Sequence, residues 1–163
     1  MALVIPIKQE RECDGCTKCC DGWLSGVAHG HEFYIGKSCY WKGKNGCNIY
    51  SVRPYEPCVT FKCFWKYSKL VPKHFKPNLI GVIIVERFDN GFKFVDVNIG
   101  GKLVSEEVIS WCNQMYTENL IENIRYYHNQ KYTLLSKDDN FIKYMHSKLG
   151  VEKFNNAGMV FNG

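Results

Sequence analysis

The clearest hydrophobic pattern of this sequence lies in its second half, within residues 78–150. Residues 79–85 form a nearly continuous apolar run rich in β-branched side chains, which predicts a buried strand. Asp89-Asn90-Gly91 follows, and Asn-Gly favours a hairpin turn because both positions tolerate a positive φ. The returning run, residues 92–99, alternates between apolar and polar side chains and predicts the partner strand. One face of that strand would carry Val95, Val97 and Ile99, and the other Asp96 and Asn98.

Two helices are predicted after the hairpin. Ser105-Glu106-Glu107 is typical of a helix start, because Ser caps the first N–H groups and acidic residues are favourable in the first turn. Apolar residues then recur at roughly helical spacing, at Val108, Cys112, Met115, Ile124 and Tyr127. A second helix is predicted to begin near Ser136 or Asp138 and to end at Leu149-Gly150. Together with the hairpin, these helices predict the α+β class.

The first half of the chain has only weak periodicity. Residues 13–66 are rich in Cys, Gly and aromatic residues but have few aliphatic ones, so a bound metal would have to supply folding energy. Residues 1–12 are predicted to be an extended lead-in, residues 67–77 a connection, and the last dozen residues a loop. We therefore expect one domain over residues 1–163, in which the metal-stabilised Cys-rich subregion packs on the hairpin and helices of residues 78–150.

The composition is typical of a globular protein except for its nine cysteines. Of the 163 residues, 45% are apolar and 23% charged, which is typical of globular proteins and excludes a disordered chain. No apolar run approaches the ~20 residues that a membrane-spanning helix needs. The first residues lack the features of a secretory signal, so we expect a cytoplasmic location, where thiols stay reduced. The nine Cys are an odd number and include the adjacent Cys19 and Cys20, which also argues against a disulfide framework.

The first group of cysteines is a compact motif, C-x2-C-x2-C-C, formed by Cys13, Cys16, Cys19 and Cys20. A two-residue spacer lets one tight turn point two sulfurs at one ion, as in zinc ribbons. The same spacing also occurs at the start of bacterial ferredoxin motifs, so zinc and an iron–sulfur cluster both remain open. Cys19 and Cys20 could bind one ion or two different ones, or one of them could be only a structural neighbour.

The second group consists of Cys39, Cys47, Cys58 and Cys63. Cys39 and Cys47 flank residues 42–46, Lys-Gly-Lys-Asn-Gly, which are predicted to be a hairpin tip that brings the two thiols together. Eight thiols divide into two tetrahedral sites, and one metal with four spare thiols is the alternative. The expected cofactors are one or two zinc ions or an iron–sulfur cluster. The ninth residue, Cys112, lies on the apolar face of a predicted helix and is expected to be buried.

These motifs resemble a known family. The segment from Cys13 to Cys20, the stretch C-x-I-Y-x-x-R-P-x-x-x-C from Cys47 to Cys58, and Phe61-Lys62-Cys63 are similar to the CxxCxxCC proteins, which are described as zinc- or iron-chelating domains. The resemblance covers about residues 13–63, and Val59 stands where the family usually has a basic residue. Flagellin lysine methylases carry a similar cysteine cluster, so the resemblance implies that one branch of the family is enzymatic.

Several other polar residues near the cysteines are candidates for the metal site. Arg53 is expected to bind the cofactor indirectly, by donating hydrogen bonds that neutralise thiolate charge. Asp14 and Asp21 are interpreted as turn-formers rather than ligands. His29 and His31 are suitable metal ligands, although eight cysteines make them unnecessary. The many aromatic residues of this region are interpreted as packing around the metal, with stacking on single-stranded nucleic acid as the alternative.

Charge and motifs limit the function classes. The formal net charge is +5, but eight thiolates with two divalent ions would lower it to about +1, so the basic excess does not require a nucleic-acid partner. The chain has no phosphate-binding glycine loop and none of the common hydrolase signatures. The sequence therefore predicts a metal-binding structural or interaction module with a protein partner and no membrane association. An iron–sulfur enzyme or electron-transfer protein is one alternative, and a nucleic-acid-binding module is the less favoured one.

Overall fold

The protein is described by a computed structural model, which covers residues 11–13, 16–99 and 104–155. Up to Cys63 the described chain contains only short elements. Two of them are antiparallel hairpins: β1 (Gly26–Ala28) pairs with β2 (His31–Phe33), and β3 (Lys42–Gly43) pairs with β4 (Gly46–Cys47). The second hairpin confirms the tip predicted at residues 42–46. Single helical turns at Lys18–Cys20, Tyr50–Val52 and Tyr55–Val59 complete this region.

The remainder of the chain builds one four-stranded sheet with helices. The strands lie in the order β5-β6-β7-β8, which is also their order along the chain. The sheet is antiparallel except for β6 and β7, which run parallel. The helices and strands of this part are α1 (Phe64–Tyr67), α2 (Pro77–Ile80), β5 (Val82–Asp89), β6 (Phe92–Ile99), α3 (Glu106–Thr117), β7 (Ile124–His128), β8 (Lys131–Leu135) and α4 (Asp139–Leu149). The presence of both helices and strands agrees with the predicted α+β class.

The predicted central hairpin is confirmed, with a shift at its start. β5 and β6 pair along their whole length, and Asn90 and Gly91 adopt φ values of 49° and 81° in the turn. The first strand begins at Val82 rather than at residue 79, because Pro77 starts the short helix α2. Gly81 ends that helix with a left-handed φ of 79°, a conformation that glycine adopts without steric cost.

The first long helix begins as predicted but ends earlier. The Ser105 side chain accepts a hydrogen bond from the Val108 backbone N–H, and two acidic residues occupy the first turn. The helix ends at Thr117, so the prediction that it includes Ile124 and Tyr127 is wrong. Both residues lie in β7, where Ile124 is buried in the core.

A second hairpin, formed by β7 and β8, was not predicted from the sequence. Its turn consists of Asn129 and Gln130, which both have positive φ values, 52° and 63°. Helix α3 lies between β6 and β7, which is the arrangement that lets two neighbouring strands run parallel. The predicted hairpin with two helices is therefore a sheet of two hairpins with two longer helices.

The second long helix, α4, begins and ends where the sequence predicts. The Asp138 side chain accepts hydrogen bonds from the Asn140 and Phe141 N–H groups, and Gly150 follows the last turn. The residues after it are not all loop: Phe154 is buried and bridges to Tyr132. Residues 156–163, and residues 1–10 of the predicted lead-in, lie outside the described residues. In the described part of the chain, no helix combines the length and the hydrophobicity needed to cross a membrane.

The sheet separates two apolar clusters. The larger cluster lies on the face covered by α3 and includes Val82, Ile84, Val97 and Trp111. The smaller cluster lies on the opposite face, where Phe141, Ile142 and Met145 of α4 pack against Phe94 and Leu134. The Cys-rich region also borders this second face, in a cleft lined by Leu24 and Phe61.

Candidate metal centre

The Cys-rich region has almost no apolar core of its own. From residue 16 to residue 62, the buried apolar side chains are those of Ala28 and Phe33. The large cluster begins only with Phe64 and Trp65, and it contacts the half-buried Cys63. Most of the loops that carry the cysteines are therefore held by backbone hydrogen bonds and by contacts near the sulfurs.

Cys13 and Cys16 of the first motif lie near Cys63 of the second group. A tight turn joins Cys16 to Cys13, with the Cys16 N–H donating to the Cys13 carbonyl oxygen at 3.0 Å. The preceding Arg11 bonds to the 65–66 backbone, through its N–H to the Lys66 carbonyl at 2.9 Å and its guanidinium to the Trp65 carbonyl at 3.1 Å. Burial, followed by the nearby thiols of Cys13 and Cys16, raises the pKa of Cys63.

Three other thiols lie near Cys58. The Cys39 N–H donates to the Cys20 carbonyl oxygen at 2.8 Å, which fixes these two segments side by side. Cys47 lies opposite Lys42 in the β3–β4 hairpin, and the Lys42 N–H donates back to the Cys39 carbonyl at 3.1 Å. Burial and the nearby thiols of Cys39, Cys20 and Cys47 raise the pKa of Cys58.

The adjacent cysteines stand between these two sets. The sulfurs of Cys19 and Cys20 are 3.7 Å apart. The hydrogen bond between these two thiols raises the pKa of Cys19, and burial and the nearby thiols of Cys13 and Cys16 add to the increase. The same hydrogen bond lowers the pKa of Cys20 to about 7, and Lys42 contributes to the decrease. Cys19 thus interacts with Cys13 and Cys16, whereas Cys20 interacts with Cys58.

The donor chemistry suits a thiophilic metal, although the sulfurs are not arranged around a common point. All nine cysteines are free thiols. Within residues 11–13, 16–99 and 104–155, no group of three or more His, Cys, Asp or Glu side chains is close enough to hold a metal ion. Clustered thiolates repel one another, so ionisation of either set is favoured by a bound cation.

The charged neighbours of the cysteines have other partners. Asp21 accepts hydrogen bonds or ion pairs from Thr17, Lys18 and Lys42, which lower its pKa against the effect of burial. These contacts agree with the interpretation of Asp21 as a turn residue, while Asp14 lies outside the described residues. Arg53 donates to the Tyr50 carbonyl at 2.6 Å and stacks over the Tyr50 ring at 3.9 Å. Its action on the thiols is electrostatic, because it favours the thiolate of Cys58.

The two histidines contact an exposed aromatic surface. His31 stacks on the Tyr40 ring at 3.9 Å, and Trp41 lies edge-on to it at 5.4 Å. The Nε2 atom of His29 is 2.9 Å from the Val52 carbonyl oxygen. Four tyrosines of the Cys-rich region are more than half exposed, so the interpretation of all its aromatic residues as packing is wrong. They are Tyr34, Tyr40, Tyr50 and Tyr55.

Two other polar features concern the sheet. Cys112 is fully buried as predicted, and burial raises its pKa to about 12. Sequence reasoning missed the buried carboxylate of Asp96, to which the guanidiniums of Arg87 and Arg125 are both bound. The available signal was that Asp96 stands between Val95 and Val97 in a strand of a predicted hairpin that also carries Arg87.

Comparisons of this chain with family models, with curated proteins and with solved structures find no match. The likeness to the CxxCxxCC proteins therefore stays a prediction that depends on the residues of the two cysteine motifs.

Proposed function

We propose that this protein binds two metal centres, each through four cysteine thiolates. Cys13, Cys16, Cys19 and Cys63 would hold the first centre, and Cys20, Cys39, Cys47 and Cys58 the second. This division differs from the order of the cysteines along the chain, because Cys63 joins the first motif and Cys20 leaves it. Adjacent residues would then bind different metals, which their diverging side chains allow.

The observation that carries this proposal is that three thiols from separate segments lie near the thiol of Cys58. The sulfurs of Cys20, Cys39 and Cys47 are near enough to act on its pKa, although the four residues span 39 positions of the sequence. A region with two buried apolar side chains has little reason to bring free thiols together unless a cation binds them. The eight thiols lie at or near the surface, where an ion can reach them.

Zinc is the metal that this arrangement favours. Closed sites of four thiolates are typical of structural zinc, and they leave no coordination position open for a substrate. Iron–sulfur clusters also bind four thiolates, so an electron-transfer protein or an iron–sulfur enzyme is the alternative. In the zinc case the metals would order the loops and thereby present the exposed tyrosines, a residue type enriched at protein interfaces. We therefore propose a structural module that binds a protein partner in a reducing compartment, the cytoplasm.

Elemental analysis of anaerobically purified protein tests both the metal and the division of the thiols. We expect a colourless protein with two zinc ions per chain, whereas a brown protein containing iron and acid-labile sulfide would assign clusters instead. Cys63→Ser and Cys58→Ser should each lose one metal centre, and the double variant should lose both. Cys112→Ala is the matched control, because its thiol is buried in the apolar cluster, and it should retain both centres. Protein without stoichiometric zinc or iron would contradict the proposal.

A comparison of the adjacent cysteines sharpens that test. If they bind different centres, Cys19→Ser and Cys20→Ser should each remove one metal, and combining Cys19→Ser with Cys63→Ser should remove no more than Cys63→Ser alone. Combining Cys20→Ser with Cys63→Ser should remove both. Metal loss that is the same in these two double variants would contradict the proposed division while leaving metal binding itself intact.

A further inference from the structure

A cleft of about 470 Å³ lies between the Cys-rich region and the sheet, away from the thiols. Its volume is in the range of pockets that bind small organic molecules. The Cys-rich side contributes Leu24 and Phe61, the sheet contributes Val85 and Phe94, and helix α4 contributes Lys148. The cleft therefore has an apolar wall and a charged wall.

Two guanidiniums are fixed at the sheet side of this cleft by one buried carboxylate. Asp96, which is 1% exposed, accepts from Arg87 Nε at 2.7 Å and from Arg125 Nε and Nη2 at 3.1 and 2.8 Å. The Arg125 guanidinium also lies 5.2 Å from the Phe94 ring centre and 5.0 Å from that of Tyr132. These contacts hold the arginines in place before any ligand arrives, which reduces the entropy cost of binding.

The charges that face the cleft are predominantly positive. Among the described side chains on this face, three cations, Arg87, Arg125 and Lys148, stand against two carboxylates, Asp96 beneath the cleft and Asp89. Glu86 also borders the cleft, but alternation along β5 turns its carboxylate to the other face. There it pairs with Lys93 at 3.3 Å and accepts from the Tyr67 hydroxyl.

We propose that this cleft binds a small organic anion, with its carboxylate or phosphate group at Arg87, Arg125 and Lys148 and its apolar body against Leu24 and Phe61. Guanidinium groups match the planar geometry of carboxylate and the oxygens of phosphate, and Arg is the preferred residue for both. The charged wall fixes the orientation of the ligand, and the apolar wall selects an anion that carries a hydrophobic group. This inference rests on the proposed metal sites only for its apolar wall, because Leu24 and Phe61 belong to the Cys-rich region, whereas Arg87 and Arg125 belong to the sheet.

Calorimetric titration of the full-length, metal-loaded protein at low ionic strength tests the proposal. The probes are phenyl phosphate, benzoate and inorganic phosphate, and we expect at least one of the first two to bind more tightly than inorganic phosphate because it also fills the apolar side. Whichever of the two binds more tightly identifies the head group. Absence of saturable binding for all three probes would overturn the proposal.

Variants locate the binding. Arg87→Gln should weaken binding of the better probe about tenfold, which is the typical effect of losing one charge-assisted contact. Because Arg125 still pairs with Asp96 in this variant, we expect it to fold. Thermal melts of the variant and the unmodified protein test this.

A matched pair on α4 provides a second measurement that does not touch the buried carboxylate. Lys148 lines the cleft and Lys143, five residues earlier, is exposed outside it. Lys148→Gln should weaken binding several-fold, and Lys143→Gln, which removes the same charge, should change it less than about twofold. Equal weakening by both would show that only the net charge of the protein attracts the anion, and it would overturn the proposal.

Discussion

The two halves of this protein reach their folded state by different means. From Phe64 onward, the described chain buries seventeen side chains in one apolar cluster and six in another, on opposite faces of a sheet. In residues 16–62, by contrast, the buried apolar side chains are those of Ala28 and Phe33 only. The first half instead concentrates eight thiols, and neighbouring thiols help to raise the pKa values of Cys19, Cys58 and Cys63.

This contrast shows what each half needs to stay ordered. Burial of apolar surface is the main favourable contribution to folding, and it must offset the conformational entropy lost by the backbone. The sheet and its helices bury enough of their own apolar side chains to supply that contribution. The Cys-rich loops do not, and we propose that a bound cation orders them, in the way that zinc fingers fold only with metal.

Metal removal should have the largest effect on this contrast. If metal–sulfur bonds order residues 16–62 as proposed, chelation under reducing, anaerobic conditions should abolish the dispersed amide signals of these residues in a two-dimensional NMR spectrum. Signals of β5 to β8 should remain, since these strands bury their own apolar side chains. Addition of zinc should restore the lost signals. Metal-free protein, verified by elemental analysis, that keeps a complete spectrum would refute both the contrast and the metal proposal.

A core substitution should produce the next largest effect, and only in the second half. Phe141 is completely buried and its ring lies 5.4 Å from Phe94 and 5.7 Å from Phe92. Phe141→Ala should lower the free energy of unfolding by about 3–5 kcal/mol. The control Leu79→Ala truncates a side chain that is 66% exposed and should change it by less than about 0.5 kcal/mol. Denaturant titration measures both, and equal effects would show that the sheet does not depend on this packing.

The ninth cysteine provides a pH-dependent test, because it is buried by apolar packing and not grouped with other thiols. Burial raises the pKa of Cys112 to about 12 in the folded protein, whereas an unfolded thiol ionises near about 8.5. Its contribution to stability is therefore complete below the unfolded pKa and is lost as pH rises toward the folded one. Above about pH 8.5 the free energy of unfolding should fall by up to ~1.4 kcal/mol per pH unit from this group.

Cys112→Ala isolates that contribution from the titration of lysines and tyrosines, which both proteins share. The difference between the two proteins in free energy of unfolding should be constant at neutral pH and should shrink between about pH 8.5 and 10.5. A difference that stays constant over this interval would mean that the folded thiol ionises as readily as the unfolded one.

The elements that were predicted correctly are those with strong local signals. Asn90-Gly91 specifies its turn by backbone conformation, and Ser105 and Asp138 cap their helices with their own side chains. The second hairpin was missed because Ile124 and Tyr127 fit a helical spacing when counted from α3. The alternation of buried Ile124 and Tyr126 with Arg125 becomes visible only when the helix ends at Thr117. Local pattern cannot decide between two periods that share the same apolar residues.

The candidate site shows the same limit at longer range. The sequence identifies all eight thiols as candidates, because they are concentrated between residues 13 and 63. It cannot group Cys63 with Cys13, since these residues meet through the contacts of Arg11 with the 65–66 backbone. It also cannot reveal that Asp96 binds two arginines from neighbouring strands, because that contact depends on the pairing of β6 with both β5 and β7.

Helix capping should give the smallest effect, and it tests whether local signals stabilise the second half alone. The Ser105 hydroxyl oxygen accepts a hydrogen bond from the Val108 N–H, so Ser105→Ala should lower the free energy of unfolding by about 1 kcal/mol. The matched control is Ser110→Ala, an exposed position inside the same helix, which should be neutral or stabilising by up to ~0.5 kcal/mol because Ala is the better helix former. Metal content should be unchanged in both variants, since α3 packs in the larger apolar cluster and carries none of the eight clustered thiols. Loss of metal on removal of this cap would mean that the two halves fold as one unit, and the contrast between them would have to be abandoned.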